Sequence, residues 1–233
     1  MKLGIMQPYI VPYIGYFQLI NAVDKFVVYD NIQFTKKGWI NRNRILVNGK
    51  DEYFTLPLKK DSDYLNIDQR RLSDTFPVDK IKLLRKLTES YRKAPEFSKV
   101  YPILEAVITN NEENLFAFIY RSLEEVCKFL DIKTTFVISS SVPIDHRLRS
   151  QDKVIAICKA LGATEYINPI GGLELYAKDD FKKNEIELHF IKSDPVAYTQ
   201  FNNEFVPWLS IIDVMMFNSK ETIQRYLQSY TII

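Results

Sequence analysis

The sequence has few of the residues that usually hold metal ions. Its 233 residues include two cysteines, Cys127 and Cys158, and two histidines, His146 and His189. Each cysteine lies alone in an apolar stretch with helical spacing, and neither has the spacing of a metal-ligand pair. We therefore predict no metal site. Two isolated thiols are typical of a protein from a reducing cytosol.

A strong net charge and a long apolar run are also missing. The 31 basic residues nearly balance the 29 acidic residues, which gives a net charge of +2 and no general electrostatic field for a nucleic acid. No segment approaches the roughly 20 apolar residues of a membrane-spanning helix. Gln7 and Pro8 interrupt the first apolar stretch before it reaches the length of a signal peptide. We expect a cytoplasmic protein that neither inserts into membranes nor binds nucleic acid.

Apolar periodicity predicts an α/β fold at the N-terminus. Residues 2–6 form a continuous apolar strand, residues 17–23 carry a helical stripe, and residues 26–29 form a second strand. A strand, a helix and a strand in succession form a βαβ unit, which implies a parallel sheet. The uninterrupted apolar character of the first strand is typical of a strand covered on both faces, so we expect it at the centre of the sheet.

The rest of the chain continues this pattern around a block of helices. Further strands are predicted at residues 53–58, 134–139, 163–168 and 184–190, and further helices at residues 78–92, 98–109, 112–130, 151–161, 208–217 and 220–228. Asn48-Gly49 is typical of a tight hairpin turn. We predict an open, mainly parallel sheet with flanking helices. It would form a single domain over residues 1–233 with a helical insertion at about 78–130.

The loop after the first strand is the first candidate for a binding site. It joins a strand end to a helix start, where α/β proteins bind ligands and where free N–H groups attract anions. Its layout resembles the loop that carries a His-x-Gly-His motif in nucleotidyl-transferring enzymes, with Tyr13 and Tyr16 in the places of the histidines. We take Gln7 and Tyr13 as binding candidates and Tyr16 as a catalytic candidate. A loop held tight by its prolines and glycine is the alternative.

Residues 30–44 are dense in polar, basic and aromatic side chains. Arginine offers a planar fork for phosphate, asparagine offers paired donors and acceptors, and tryptophan offers a flat apolar wall. A nucleotide diphosphate or a sugar would suit this combination, and an exposed basic hairpin is the alternative. We assign a catalytic role to Asp30 and binding roles to Gln33, Trp39, Asn41, Arg42, Asn43 and Arg44.

A third candidate loop lies between the strand at 134–139 and the helix at 151–161. Its histidine, His146, is a candidate general acid or base because imidazole titrates near neutral pH. A solvated loop histidine is the alternative. Ser140 and Arg147 are binding candidates beside it. The other histidine, His189, lies in an apolar strand and is predicted to be a core residue.

A fourth candidate follows the strand at 163–168. Gly171 and Gly172 would permit a ligand to approach the backbone closely, and Tyr176 follows them. We assign these three residues to substrate binding. A simple turn is the alternative.

Several of these segments resemble the WbqC-like protein family. The resemblance is carried by residues 5–9 (IMQPY), 15–20 (GYFQLI), 26–30 (FVVYD) and 38–44 (GWINRNR), and it continues in residues 161–163 (LGA), 171–176 (GGLELY) and 205–213 (FVPWLSIID). It therefore covers essentially the whole chain.

The resemblance implies a role in surface-polysaccharide (O-antigen-type) biosynthesis, because members of the family are associated with lipopolysaccharide gene sets, often beside enzymes that make amino sugars. It points to a transferase or ligase that modifies, for example by acylation, a nucleotide-linked amino sugar. The other small-molecule partner would be acyl-CoA or ATP with Mg²⁺, and a homo-oligomer is compatible with the sequence.

Two alternatives stay open. One is an ATP-dependent nucleotidyl-transfer or activating enzyme with a degenerate His-x-Gly-His-like motif. The other is a non-catalytic binding or assembly factor, because the sequence shows no conventional pair of nucleophile and base.

Overall fold

A six-stranded sheet forms the centre of the computed structural model, which describes residues 1–233. The chain has eight strands: β1 (Lys2–Met6), β2 (Lys25–Val28), β3 (Arg42–Val47), β4 (Lys50–Thr55), β5 (Thr135–Ile138), β6 (Glu165–Pro169), β7 (Glu187–Ser193) and β8 (Tyr230–Ile232). The central sheet has the order β5-β2-β1-β6-β7-β8, and β3 and β4 pair separately.

Five neighbouring strands of the central sheet run parallel, and only β8 runs antiparallel to its neighbour. β1 pairs with β2 on one side, where Leu3 lies opposite Lys25, and with β6 on the other, where Leu3 lies opposite Tyr166. The predicted α/β fold with a mainly parallel sheet and a central first strand is confirmed.

Helices cover both faces of this sheet. They are α1 (Ile14–Asn21), α2 (Phe76–Tyr91), α3 (Phe97–Thr109), α4 (Leu115–Phe129), α5 (Ser150–Leu161), α6 (Lys178–Lys183), α7 (Ile211–Phe217) and α8 (Lys220–Tyr226). Leu3, Ile5 and Val27 pack with residues of α5 and α6, whereas Phe26 and Val28 pack in a larger cluster with α1 and α4. None of the helices has the length and hydropathy needed to cross a membrane.

The helices between β4 and β5 share the larger apolar cluster with α1 and α7. Leu87 of α2, Leu104 of α3 and Leu123 of α4 are all buried in it. The organisation as a single domain with a helical insertion at about 78–130 stays a prediction.

The β3–β4 hairpin turns at Asn48 and Gly49, where the sequence predicts a tight turn. Both residues have positive φ angles, 50° and 78°, as a two-residue type I′ turn requires. β4 therefore starts at Lys50, and the predicted start at residue 53 is wrong. Ile45 and Phe54 anchor the hairpin in the larger apolar cluster.

The C-terminal third contains the main differences from the predicted elements. A strand was predicted at 184–190, but β7 covers Glu187–Ser193 because Glu185, with a φ of 60°, turns the chain after α6. α6 and β8 are too short to give a periodic signal, and the sequence did not predict them. His189 is not a core residue, since its side chain is 30% exposed and its Nε2 lies 3.4 Å from a Glu187 carboxylate oxygen.

Candidate functional site

The polar segments singled out in the sequence meet at one edge of the sheet. Gln7 follows β1, Asp30 comes two residues after the end of β2, Ser139 follows β5, and a short 3-10 turn containing Gly171 and Gly172 follows β6. Because these strands run parallel, their carboxyl ends lie on the same side. This is the edge at which α/β sheets bind ligands.

Asp30 and Asn31 organise the β2–β5 part of this edge. Asp30 is 2% exposed, and its Oδ1 accepts a hydrogen bond of 2.9 Å from the N–H of Ser140. Asn31 Oδ1 accepts a bond of 2.9 Å from the Ser139 hydroxyl, and its Nδ2 lies 2.9 Å from Nδ1 of His146. The catalytic candidates Asp30 and His146 are therefore linked through neighbouring residues.

The contacts of Asn31 favour one tautomer of the neutral His146 imidazole. Its Oδ1 accepts bonds from Ser139 and, at 3.3 Å, from Lys153 Nζ, so its Nδ2 must be the group that faces the imidazole. An amide nitrogen only donates, and Nδ1 of His146 must therefore accept. In the neutral imidazole the proton consequently lies on Nε2. His146 is exposed, and it presents an N–H donor to a ligand rather than a free base.

Two charged residues at this edge, Lys153 of α5 and Asp68, were not predicted from the sequence. Lys153 is 4% exposed, and its Nζ lies 4.9 Å from the centre of the Tyr29 ring. Burial lowers the pKa of Lys153, although Asp30 and Asp68 oppose this shift. Burial, with a contribution from Asp30, raises the pKa of Asp68. We call Asp30, Asn31, Asp68, Ser139, His146 and Lys153 the edge cluster.

Burial also raises the pKa of Tyr29 to about 12, and nearby Tyr176 and Asp30 add to the effect. Tyr29 therefore stays protonated at neutral pH. The structure brings no group of three or more histidine, cysteine or acidic side chains into an arrangement that could hold a metal ion.

An aromatic pocket of about 460 Å³ lies beside the loop that follows β1. It is lined by Tyr9, Pro12, Tyr13, Trp39, Asn43, Arg44 and Trp208. Trp39 stacks on Tyr53 with ring centres 6.0 Å apart, and Tyr13 meets Trp208 edge to face at 6.0 Å. The Tyr9 hydroxyl lies 3.5 Å from Oε1 of Gln7, so this contact connects the pocket to the sheet edge at the end of β1.

Arg42 and Arg44 lie on the same face of β3, but their contacts differ. Arg44 donates to Asp51 Oδ2 at 2.9 Å and to the Trp208 carbonyl at 3.1 Å, and its guanidinium lies 5.6 Å from the Trp39 ring. Arg42 lies over Tyr53 and donates to the carbonyls of Gly38 and Lys37. Arg44 is therefore part of the pocket wall, whereas Arg42 braces the loop that carries Trp39.

Two non-glycine residues beside the pocket have positive φ angles, Val11 at 34° and Trp208 at 61°. Asn43 holds the first by donating to the carbonyls of Ile10 and Val11, at 3.0 and 2.9 Å, and the Ser210 hydroxyl donates to the Val11 carbonyl at 2.6 Å. Such backbone strain persists only where the surroundings enforce it, and it is concentrated at ligand sites.

Several predicted site residues have structural contacts instead. Tyr16 is 3% exposed, its hydroxyl donates to the Gln7 carbonyl at 2.8 Å, and burial raises its pKa well above the ordinary value. It is therefore poorly placed for the predicted catalytic role. Asn41 donates to the Leu56 carbonyl at 2.9 Å, and Gln33 donates to the Asp63 carbonyl at 3.0 Å. Both join loop segments.

The remaining predicted residues lie at the rim of the edge. Arg147 is 91% exposed and pairs with Asp145, two positions earlier. Tyr176 packs against Tyr166 and Phe181. A Cβ on Gly172 would lie 1.9 Å from Nδ2 of Asn168, whereas a Cβ on Gly171 would meet nothing within 4 Å. Gly172 is therefore needed for packing.

Tyr9 and Trp208 line the aromatic pocket, but the sequence did not single them out as site residues. Tyr9 stands between prolines in a loop, which gives a weak signal. Trp208 comes into contact with the pocket only because Arg44 and Ser210 bring its segment back to the first loop.

Comparison with known proteins gives a family match over nearly the whole chain. The model of a family described as "WbqC-like protein family" matches residues 7–225. A relative from Mycobacterium tuberculosis, described as "Uncharacterized protein Rv1507c", is 27% identical over 229 residues, and the alignment covers 97% of each chain. No solved structure matches the chain.

Proposed function

The chain belongs to the WbqC-like protein family, and on this premise we propose that it is an enzyme of surface-polysaccharide biosynthesis that acylates a nucleotide-linked amino sugar. The observation that carries the proposal is the aromatic pocket with Arg44 in its wall. Its volume of about 460 Å³ suits a small-molecule site, and such sites combine apolar walls with a few polar groups that orient the ligand.

The pocket supplies the two kinds of contact that a nucleotide-linked sugar needs. The faces of Trp39, Trp208 and the tyrosines can pack on a base or on the apolar face of a sugar. Arg44 provides a planar charged fork for a phosphate oxygen. Its contacts with Asp51 and with the Trp208 carbonyl hold the guanidinium in place before the ligand arrives.

We assign proton transfer to the edge cluster, which lies at the same edge of the sheet as Gln7. In the proposed reaction the sugar amine attacks the carbonyl carbon of an acyl thioester, so that a C–N bond forms and the C–S bond breaks. The amine loses a proton, and the sulfur leaves as a thiolate that takes a proton from water. Asp30 is the candidate acceptor for the amine proton, and the Nε2–H of His146 is the candidate hydrogen-bond donor to the leaving thiolate.

The proposal includes the partner and the compartment predicted from the sequence. The substrate is a small molecule, the protein is cytoplasmic, and acyl-CoA is the donor class that the reaction requires. A homo-oligomer, with which the sequence is compatible, has no part in this mechanism.

Product analysis tests the proposal directly. Purified protein is incubated with nucleotide-linked amino sugars and either acyl-CoA or ATP with Mg²⁺, and the products are identified by mass. A sugar nucleotide heavier by one acyl group, with release of free CoA, is the expected result. Nucleotidyl transfer with ATP would replace the proposal by the activating-enzyme alternative. Binding without any product would favour the non-catalytic factor.

A further inference from the structure

We propose that a second pocket, adjoining the aromatic pocket, binds an acyl chain. This inference rests on the proposed function and specifies the acyl group, which either the donor brings or the acylated sugar already carries. The second pocket, here called the apolar pocket, has a volume of about 240 Å³. It is lined by Tyr13, Ile14, Ser193, Asp194, Pro195, Val196, Ala197, Tyr198, Phe205, Pro207, Trp208, Leu209 and Val214.

The two pockets share two of their lining residues. Tyr13 and Trp208 belong to both, and their rings meet edge to face with centres 6.0 Å apart. A ligand held by Arg44 in the aromatic pocket therefore has the apolar pocket on the other side of one aromatic pair. The phosphate and the chain of a single reacting complex would lie in neighbouring compartments.

Polar groups of the apolar pocket face partners within the protein. The Tyr198 hydroxyl donates to Asp213 at 2.7 Å. Burial raises the pKa of Tyr13, and the Ser193 side chain lowers that pKa by less. Asp194 accepts a bond of 3.4 Å from the Thr231 hydroxyl. Nine of the 13 lining residues are hydrophobic. The pocket can thus make apolar contacts with a chain of methylene groups, whereas it has few free donors for a polar ligand.

A buried carboxylate holds two walls of the apolar pocket in place. Asp213 is fully buried and accepts bonds from Tyr198 at 2.7 Å and from Gln200 Nε2 at 2.6 Å. Gln200 in turn bonds to both the N–H and the carbonyl of Val206. Tyr198 lines the pocket, and Val206 lies between the lining residues Phe205 and Pro207. The walls are therefore formed before a ligand binds.

Gly15 is required for the position of the shared residue Tyr13. A Cβ at position 15 would lie 2.4 Å from a carbon of the Tyr13 ring and 2.5 Å from the Ser193 hydroxyl oxygen. Any side chain there would push the ring away from Ser193. Trp208, the other shared residue, is held with a φ of 61°. Two independent local constraints thus maintain the boundary between the pockets.

The volume sets an expected chain length. An apolar cavity of about 150 Å³ holds a benzene molecule, so a pocket of about 240 Å³ should take a chain of roughly six to ten carbons. Each buried methylene contributes about 0.8 kcal/mol, which corresponds to about fourfold in affinity. We expect affinity to rise by about this factor per carbon until the pocket is full and then to level off.

Titration calorimetry with two ligand series tests the inference and distinguishes the source of the chain. One series is acyl-CoA with straight chains of increasing length, with CoA as reference. The other is a nucleotide-linked amino sugar carrying N-acyl chains of the same lengths, with the free amine as reference. An affinity that rises with chain length in the first series identifies the donor as the source of the chain. An affinity that rises in the second series identifies the acylated sugar as its source. No rise in either series overturns the inference.

Filling the apolar pocket provides the matched comparison. Val196→Trp places a large ring in the pocket, whereas Thr199→Trp adds the same ring to an exposed position of the same loop that does not line it. We expect Val196→Trp to abolish the dependence on chain length and Thr199→Trp to preserve it. Val196→Phe serves the same purpose if the tryptophan variant does not fold. An unchanged dependence in the filled variant would overturn the assignment to this pocket.

The free-amine nucleotide sugar separates this inference from the proposed function. Its affinity should be the same in wild type and Val196→Trp, because it contacts only the aromatic pocket. If wild type binds the free-amine sugar but neither series depends on chain length, this inference fails and the proposed function survives. If the free-amine sugar does not bind while chain length still matters, the proposed function fails instead.

Discussion

Replacing Asp213 by asparagine tests whether a buried carboxylate maintains the region around the apolar pocket. The side chain is fully buried and accepts three hydrogen bonds, from Tyr91 at 2.9 Å, Tyr198 at 2.7 Å and Gln200 at 2.6 Å. Tyr198 and Gln200 share Oδ1, and Tyr91 uses Oδ2. In Asp213→Asn the Oδ1 acceptor remains, but an amide N–H₂ faces the Tyr91 hydroxyl.

The expected cost follows from this geometry. The Tyr91 hydroxyl proton loses its acceptor, and the other two hydrogen bonds lose their charge assistance. A hydrogen bond to a charged group contributes about 1.5–3 kcal/mol. Release of the buried charge offsets part of this, so we expect the free energy of unfolding to fall by about 2–3 kcal/mol. For a chain of this size, 1 kcal/mol shifts Tm by about 2–4 °C, which predicts a decrease of roughly 4–12 °C.

The effect should also depend on pH. Burial raises the pKa of Asp213 above its ordinary value. Between these two values the unfolded chain has lost the proton that the folded chain still holds, so wild type loses stability as the pH rises through this window. Asp213→Asn has no such titration. Its destabilisation should therefore be larger below the ordinary pKa of aspartate than at neutral pH.

Thermal and urea denaturation followed by circular dichroism measure these effects. Asp194→Asn is the control, because Asp194 is exposed and has one side-chain contact, at 3.4 Å, so its change should stay within about 0.5 kcal/mol. The reasoning is refuted if Asp213→Asn costs less than about 1 kcal/mol, or if its cost grows as the pH rises.

Three further substitutions separate binding, catalysis and packing. Arg42→Gln should lower the free energy of unfolding by about 1–2 kcal/mol, since it removes the bonds to Gly38 and Lys37, and titration should show a smaller loss of ligand affinity than for Arg44→Gln. His146→Gln should lower turnover about 10²-fold in the product assay with the fold intact; an increase in KM alone would indicate a binding role, and unchanged kinetics would remove His146 from the site. Gly172→Ala should destabilise the chain by about 1–3 kcal/mol, because its methyl group meets Asn168, whereas Gly171→Ala should be nearly neutral in the same denaturation experiment; equal effects would contradict the packing argument.

The local sequence predicted the elements whose signals are themselves local. The apolar run at β1, the Asn48-Gly49 turn and the end of the predicted helix at 151–161, where Gly162 has a φ of 70°, each depend on a few adjacent residues. The alternation of Arg42 and Arg44 along an extended strand puts both side chains on one face of β3. Only Arg44 lines a pocket, because it contacts Asp51 and Trp208. The β3 sequence contains no information about those contacts.

The parts that were not predicted depend on contacts between distant residues. Lys153 reaches the edge cluster through Asn31, 122 positions away, and in sequence it is only a lysine in the first turn of a helix. Trp208 meets Tyr13 across nearly the whole chain. Tyr16 has the position expected for a loop residue at a site, but its ring packs on Phe26 and Phe17 in the core. Burial of this kind is a property of the assembled fold.

Titration calorimetry with a nucleotide-linked amino sugar tests the central claim that the aromatic pocket binds the substrate through Arg44. The comparison uses wild type, Arg44→Gln and the control Arg121→Gln, which makes the same change at an exposed position of α4. We predict that Arg44→Gln weakens binding by about 1.5–3 kcal/mol, which is roughly 10- to 150-fold in Kd, and that Arg121→Gln binds like wild type. Equal affinity in all three proteins, or an equal loss in both variants, would contradict the account.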